Sequence, residues 1–205
     1  MGTTSALIKQ IITEQRFVKS LKDFVKRDAY PKLQKYATFS EIVVITGLRR
    51  VGKSTLLQQL KSESTEQDYY INFDDDRLVH FELQDFQVLL EVFIELYGVQ
   101  KTFYFDEIQN IDGWERFVRR LHDQGNKIYI TGSNATLFSQ ELGTRLTGRY
   151  LQLELYPYSF SELLHHQSPS LELKNLITTE ERGLALRAFG QYGLQGGIPP
   201  YVHTN

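Results

Sequence analysis

The chain has 205 residues, a net charge of −2 and no cysteine. That length holds one α/β domain, or one plus a fragment, and the near-neutral balance supplies no global field for nucleic acid or an acidic membrane. The lack of cysteine excludes disulfides and thiolate metal sites and fits a cytoplasmic protein. Met1 to Gln10 has no apolar signal-peptide core, and no uncharged apolar run reaches the roughly 18 residues that span a bilayer, so no membrane partner is expected.

In chain order, Leu7 to Leu33 reads as one amphipathic helix. Ile8, Ile11, Ile12, Phe17, Val18, Leu21, Phe24 and Val25 recur near helical spacing, and Pro31 breaks or ends the run. Its plainest role is to lean on the domain; a sharper one is that part of it borders an adenine base. Ile42-Val43-Val44-Ile45-Thr46 is a β-branched run of the kind that forms a buried parallel strand. It leads into Gly47-Leu48-Arg49-Arg50-Val51-Gly52-Lys53-Ser54-Thr55, a match to the phosphate-binding loop G-x-x-x-x-G-K-[ST]. Leu56, Leu57 and Leu60 continue at helical spacing.

The chemistry explains that spelling. Gly47 and Gly52 let the backbone turn and approach an anion, while the N–H groups of the loop, Arg50 and Val51 included, form a nest at the positive end of a helix. Lys53 can reach the β and γ phosphates. The Ser54 hydroxyl suits a Mg²⁺ position, and Thr55 can contact the α phosphate.

Tyr69 to Phe73 is a second strand ending in Asp74-Asp75-Asp76. Three carboxylates at a strand's C-terminal end are catalytic or metal-binding candidates, although a polar turn is the plainer reading. Leu83 to Tyr97 is helical, and in Phe86 to Val99 the charges Glu91 and Glu95 mark one wet stripe on a mostly buried helix. Lys101-Thr102-Phe103-Tyr104-Phe105-Asp106-Glu107 is a strand ending in two acids. After a P-loop, these residues assign Asp106 to Mg²⁺ and Glu107 to the attacking water.

Asp112-Gly113 marks a turn into a helix whose buried face is Trp114, Phe117, Val118 and Leu121. Arg116, Arg119 and Arg120 line the other side, a solvated surface before it is a nucleic-acid contact. Lys127 to Gly132 is a further buried strand. Ser133 or Asn134 after it can bond the water or the γ phosphate, and Asn134 can equally cap a helix from Ala135 to Leu142. Arg145 and Arg149 precede an alternating strand, Leu151 to Leu155. Arg149 is the candidate arginine finger toward a neighbouring subunit, a role that needs a homo-oligomer; a local ion pair is the alternative. Helices follow from Tyr156-Pro157-Tyr158-Ser159-Phe160 through Leu164 and from Thr179 to Tyr192. Gly193, Gly196, Gly197 and Pro199-Pro200 read as a flexible break close to a truncation.

Several of these stretches together resemble an ATPase group of the AAA+ superfamily in bacteria and archaea. They are Ile45 to Thr55, Asp106-Glu107-Ile108-Gln109 with Trp114, Thr131-Gly132-Ser133, Leu146-Thr147-Gly148-Arg149 and Gly196-Gly197-Ile198-Pro199. The resemblance implies an α/β, three-layer P-loop NTPase fold of AAA+/ASCE type, with a parallel five-stranded sheet in the order 5-1-4-3-2. It implies ATP and Mg²⁺ as ligands, the roles above for Lys53, Ser54, Asp106 and Glu107, and a C-terminal domain of unknown function following this one.

The expected organisation is an N-terminal helical segment at 1–40, an ATPase core at 41–167 and the start of a helical lid at 168–205. Mg-dependent hydrolysis of ATP to ADP and phosphate is the leading expectation, driving a conformational change in a partner or in the missing domain. A nucleotide-gated binding module with little turnover is the alternative. A small-molecule kinase lacks its arginine-rich insertion. A GTPase lacks the Asp of its guanine selector, because Asn126-Lys127-Ile128-Tyr129 carries Tyr there.

Overall fold

A computed structural model describes residues 4–16, 24–133, 146–171 and 173–202. The Asn134 and Arg145 assignments, the helix expected from Ala135 to Leu142, and Phe17, Val18 and Leu21 lie outside the described residues.

A five-stranded parallel sheet runs β2-β3-β4-β1-β5, the expected order. Its strands are β1 (Ile42–Gly47), β2 (Tyr70–Asn72), β3 (Thr102–Asp106), β4 (Lys127–Gly132) and β5 (Tyr150–Leu155). The period of two along each strand sorts the core into two layers. Ile42, Val44, Phe103, Phe105, Ile128 and Ile130 face one cluster, which takes in Phe86 and Phe93 of α4 (Asp85–Tyr97) and Trp114 and Phe117 of α5 (Trp114–Asp123). Val43, Ile45, Tyr70, Tyr104, Tyr129, Leu153 and Leu155 face the other, under α2 (Tyr30–Ala37) and α3 (Lys53–Ser62). Near-continuous apolar strands of this kind mark a sheet covered on both faces, each fully buried Val, Ile or Phe contributing about 1.5–3 kcal/mol.

The helix expected across Leu7 to Leu33 is interrupted: among the described residues, 24–29 are not helical. α1 (Ser5–Arg16) buries Ile8, Ile11 and Ile12 in the first cluster, whereas α2 starts at Tyr30 with Pro31 in its first turn. Proline there lacks only an N–H that would be unpaired anyway and brings a helical φ, so Pro31 opens a helix where it was expected to end one. The amphipathic reading of α4 holds: Phe86, Leu89, Val92 and Phe93 are buried, Glu91 and Glu95 exposed.

After β5 come α6 (Phe160–Gln167), α7 (Thr179–Gln195) and a short α8 (Pro199–Val202). Capping boxes at Ser159/Glu162 and Thr178/Glu181 start the first two. The glycine-proline stretch is a packed junction, not a flexible break. α7 runs through Gly193, the Gly197 carbonyl accepts the Tyr158 N–H at 2.7 Å, and a Cβ on Gly197 would lie 2.1 Å from the Tyr158 carbonyl oxygen. The glycine serves close approach. Among the described residues no helix is long and apolar enough to cross a membrane.

Candidate phosphate site

Parallel pairing places the C-terminal ends of the strands side by side. Asn72 registers with Asp106, Phe105 with Ile130 and Thr46 with Gly132. The loop from β1 to α3 therefore opens at the same sheet edge as Asp106, Glu107 and Ser133. Ligands of open α/β sheets bind at that edge.

Gly47 has φ +143°, and a Cβ on it would sit 2.1 Å from the Leu155 carbonyl oxygen. Gly52 has φ +95° and precedes α3 with no side-chain cap on the helix N-terminus. An uncapped N-terminus behind a glycine-bounded loop fits a phosphate, because its N–H donors and its dipole favour an anion. Lys53 is buried, its ammonium donating to the carbonyls of Gly47 at 3.3 Å and Leu48 at 3.1 Å, with Glu107 Oε1 at 3.4 Å. A cleft of about 430 Å³ lies in front of it, lined by Arg50, Gly52, Lys53, Ser54, Thr55 and Glu107, with Pro199 and Pro200 of α8 as its far wall.

A larger cleft, about 810 Å³, opens between α2, α3 and α6. It holds no P-loop residue and mixes cations with carboxylates evenly, so phosphate chemistry assigns the site to the smaller one.

Asp106 is fully buried. Ser54 Oγ donates to its Oδ1 at 3.0 Å, the Thr131 hydroxyl donates to the same oxygen, and Tyr70 donates to Oδ2 at 3.2 Å. Burial pushes the Asp106 carboxyl up, against the opposing pull of the Thr131 and Ser54 hydroxyls. The Ser54 hydroxyl beside a carboxylate oxygen suits Mg²⁺, which takes oxygen ligands and is held by one or two protein groups together with substrate phosphates.

Glu107 sits in the left-handed region at φ 51°, ψ 42°, an uncommon backbone for a non-glycine residue that re-aims its side chain toward the cleft. Its N–H donates to Thr131 Oγ1 at 2.9 Å, so the Thr131 hydroxyl ties both acids together. The carboxylate accepts from Gln109 Nε2 at 2.6 Å and from the Ser133 N–H at 3.1 Å, both on Oε2. Burial pushes the Glu107 carboxyl up, but the Gln109 amide, Lys53 and Ser133 outweigh it and hold it below its ordinary value. The amide's other atom, Gln109 Oε1, is buried and has no hydrogen-bond partner among the described residues. A buried unpaired acceptor costs about 1–3 kcal/mol.

Of the residues expected at the site, Gly47, Arg50, Val51, Gly52, Lys53, Ser54, Thr55, Asp106, Glu107 and Ser133 converge here. Arg149 does not. Its carbonyl accepts the Ile42 N–H at the opposite end of β1, and its side chain pairs with Asp123 at 3.4 Å. The acids after β2 also take the plainer reading. Asp75 caps the 3₁₀ turn Asp76–Leu78 and pairs with Arg77 at 2.8 Å, and among the described residues no group of three or more potential ligands is arranged for a metal.

Four contributors were missed: Tyr70, Gln109, Thr131 as the link between the acids, and Arg27. The Arg27 guanidinium joins three segments. It donates to the P-loop carbonyl of Val51 at 2.8 Å, to the Tyr156 carbonyl, and to Glu162 at 3.0 Å, and it lies 4.7 Å from the centroid of the Tyr158 ring. Phe24, Val25 and Arg27 lie beside Gly52, Thr55 and Leu56, so the segment before β1 borders the start of the P-loop helix.

A family model described as an AAA domain matches residues 39–164. An uncharacterized protein of Methanocaldococcus jannaschii is 34% identical over 194 residues, covering 94% of this chain and 42% of that protein. One from Haemophilus influenzae is 36% identical over 194 residues, covering 88% and 45%. This chain thus spans less than half the length of these relatives. Among solved structures, a DNA replication initiation factor is 18% identical with a TM-score of 0.45, over 82% of this chain and 59% of that one. PCH-2 of C. elegans is 12% identical with a TM-score of 0.40, over 86% and 49%.

Proposed function

The chain belongs to the AAA domain family, and from that premise we propose that it binds Mg-ATP at the Gly47–Thr55 loop and hydrolyses it to ADP and phosphate. The observation that carries the reading is the meeting of Lys53, Ser54, Asp106 and Glu107 at one sheet edge, in front of an uncapped helix N-terminus. The loop N–H groups bind and orient the phosphates. Lys53 exchanges its carbonyl partners for phosphate oxygens and offsets the charge that develops as the β–γ bond breaks. Ser54 and Asp106 would hold Mg²⁺, which when bound neutralises phosphate charge. Glu107, ionised at neutral pH, orients the attacking water and accepts its proton, which then passes to solvent. Catalysis of this kind is mostly positioning and electrostatics.

ATP occupancy moves Lys53 off Glu107 and presses on Pro199 and Pro200, so nucleotide state reaches α7 and α8 through the cleft wall. The greater length of the relatives supports a further domain as the recipient of that movement. A homo-oligomer is the setting in which Arg149 serves a neighbour's phosphate. A second reading, a nucleotide-gated binding module, draws on one observation: among the described residues Arg50 is the only arginine lining the cleft. A single copy then turns over slowly.

Titrating Mg-ATP against wild type, Lys53→Met and Glu107→Gln tests the assignment. Glu107→Gln should keep affinity, since the phosphate nest is untouched, and lose about 10²–10⁴ in rate; Lys53→Met should lose affinity. Collapse of binding in a folded Glu107→Gln variant contradicts the division of labour between Lys53 and Glu107.

A further inference from the structure

Gln109 lies in the 3₁₀ turn Ile108–Asn110 that follows Glu107. Resting on the hydrolytic reading above, we propose that Gln109 is the positioning residue for Glu107. Its amide fixes one carboxylate oxygen and leaves the other presented to the phosphate cleft.

The two oxygens of Glu107 are not equivalent. Oε2 takes the Gln109 amide at 2.6 Å and the Ser133 N–H at 3.1 Å, whereas Oε1 lies toward Lys53 at 3.4 Å. Lys53 cannot fix the carboxylate during the reaction, because the phosphates compete for the same ammonium. The orientation then rests on the partners of Oε2, a backbone N–H and the Gln109 side chain.

Gln109 is itself held. The Asn110 amide anchors the turn to the Phe73 carbonyl at 3.2 Å, Ile108 is fully buried, and Ser133 Oγ lies 3.5 Å from Gln109 Nε2. The amide orientation follows from charge, since its nitrogen, not its oxygen, must face a carboxylate. That orientation leaves Gln109 Oε1 buried and, among the described residues, unpaired. An apolar side chain of the same length would avoid that cost, so what Gln109 supplies is its NH₂ donor to Glu107.

The test is single-turnover hydrolysis of radiolabelled Mg-ATP by wild type and Gln109→Met, with ATP affinity measured on the same samples. Methionine keeps length and removes the donor. The expected result is affinity within about threefold of wild type and a rate about 10²-fold lower, the scale of a misplaced reacting group. Adding Gln109→Met to Glu107→Gln should change the residual rate less than about twofold, because a residue acting through Glu107 has nothing left to act on. Equal fractional losses in both backgrounds would mark a merely structural role and overturn the proposal. So would a wild-type rate in Gln109→Met, which leaves the ATPase reading standing. A wild-type chain without turnover at any concentration overturns both. Gln109→Asn, which withdraws the amide by one methylene, is read the same way if Gln109→Met does not fold.

Discussion

Replacing Arg27 by methionine should be among the most damaging single changes outside the phosphate loop. Arg27 and Glu162 are 7% and 5% exposed, and their groups meet at 3.0 Å. Counted separately, the charge-assisted bonds to Glu162, Val51 and Tyr156 would each contribute about 1.5–3 kcal/mol. They share one side chain and one desolvation cost, so the smaller figure for removing one partner of a buried pair governs, about 3–5 kcal/mol. Glu162 keeps the N–H groups of Asp28 at 2.7 Å and Ser159 at 2.8 Å, which places the loss toward the lower end. At about 2–4 °C per kcal/mol for a chain of this size, a loss near ~3 kcal/mol should lower Tm by about 6–12 °C. Urea unfolding with an unchanged m-value is the assay. Arg27→Lys should fall between, since it keeps the charge and loses the fork. A loss under about 1 kcal/mol for Arg27→Met would refute the claim that this guanidinium ties the segment before β1 to the P-loop and α6.

Three other changes follow from the same geometry. Gly47→Ala drives a Cβ to 2.1 Å from the Leu155 carbonyl oxygen at φ +143°; it should cost about 1–3 kcal/mol by overpacking and weaken ATP binding more than tenfold, read by denaturation and calorimetry. Thr131→Val removes the donor to Asp106 and the acceptor of the Glu107 N–H, and should cost about 1–3 kcal/mol, with Thr131→Ser close to wild type. Asp75, which the Arg77 guanidinium holds down to about 2, contributes stability that is present above its ordinary range and lost as pH falls toward 2. The urea midpoint of Asp75→Asn should therefore trail wild type above about pH 4 and meet it near pH 2.

β1 to β4 were legible as short β-branched or aromatic runs and β5 as an alternating one, and β3 and β4 end in residues that a buried parallel strand has no packing reason to keep. The phosphate loop was legible because its chemistry is local: glycines, lysine and hydroxyl within one turn of chain. What could not be read are contacts between distant segments. Nothing near Arg27 announces Val51, Tyr156 or Glu162, and Thr131 looks like an ordinary strand-end residue until parallel register sets it beside Asp106. Gln109 was visible only as part of a motif, because its role depends on the left-handed turn at Glu107. The N-terminal helix was over-extended because apolar residues continue through Phe24 and Val25, which pack against the P-loop side and belong to no helix. Pro31 carries the opposite meaning at a helix start from the one it has inside a helix. The glycines before Pro199 looked like a hinge because sequence does not separate a glycine needed for freedom from one needed for close approach, as at Gly197.

Phosphate release from Mg-ATP, followed across protein concentration for wild type beside Glu107→Gln, tests the central claim most directly. Wild type should turn over, Glu107→Gln should lose about 10²–10⁴ of that rate, and both should retain ATP binding. Specific activity that rises with concentration would bring Arg149 of a neighbouring copy into the site. Equal phosphate release by wild type and Glu107→Gln would contradict the role of Glu107 in orienting the attacking water.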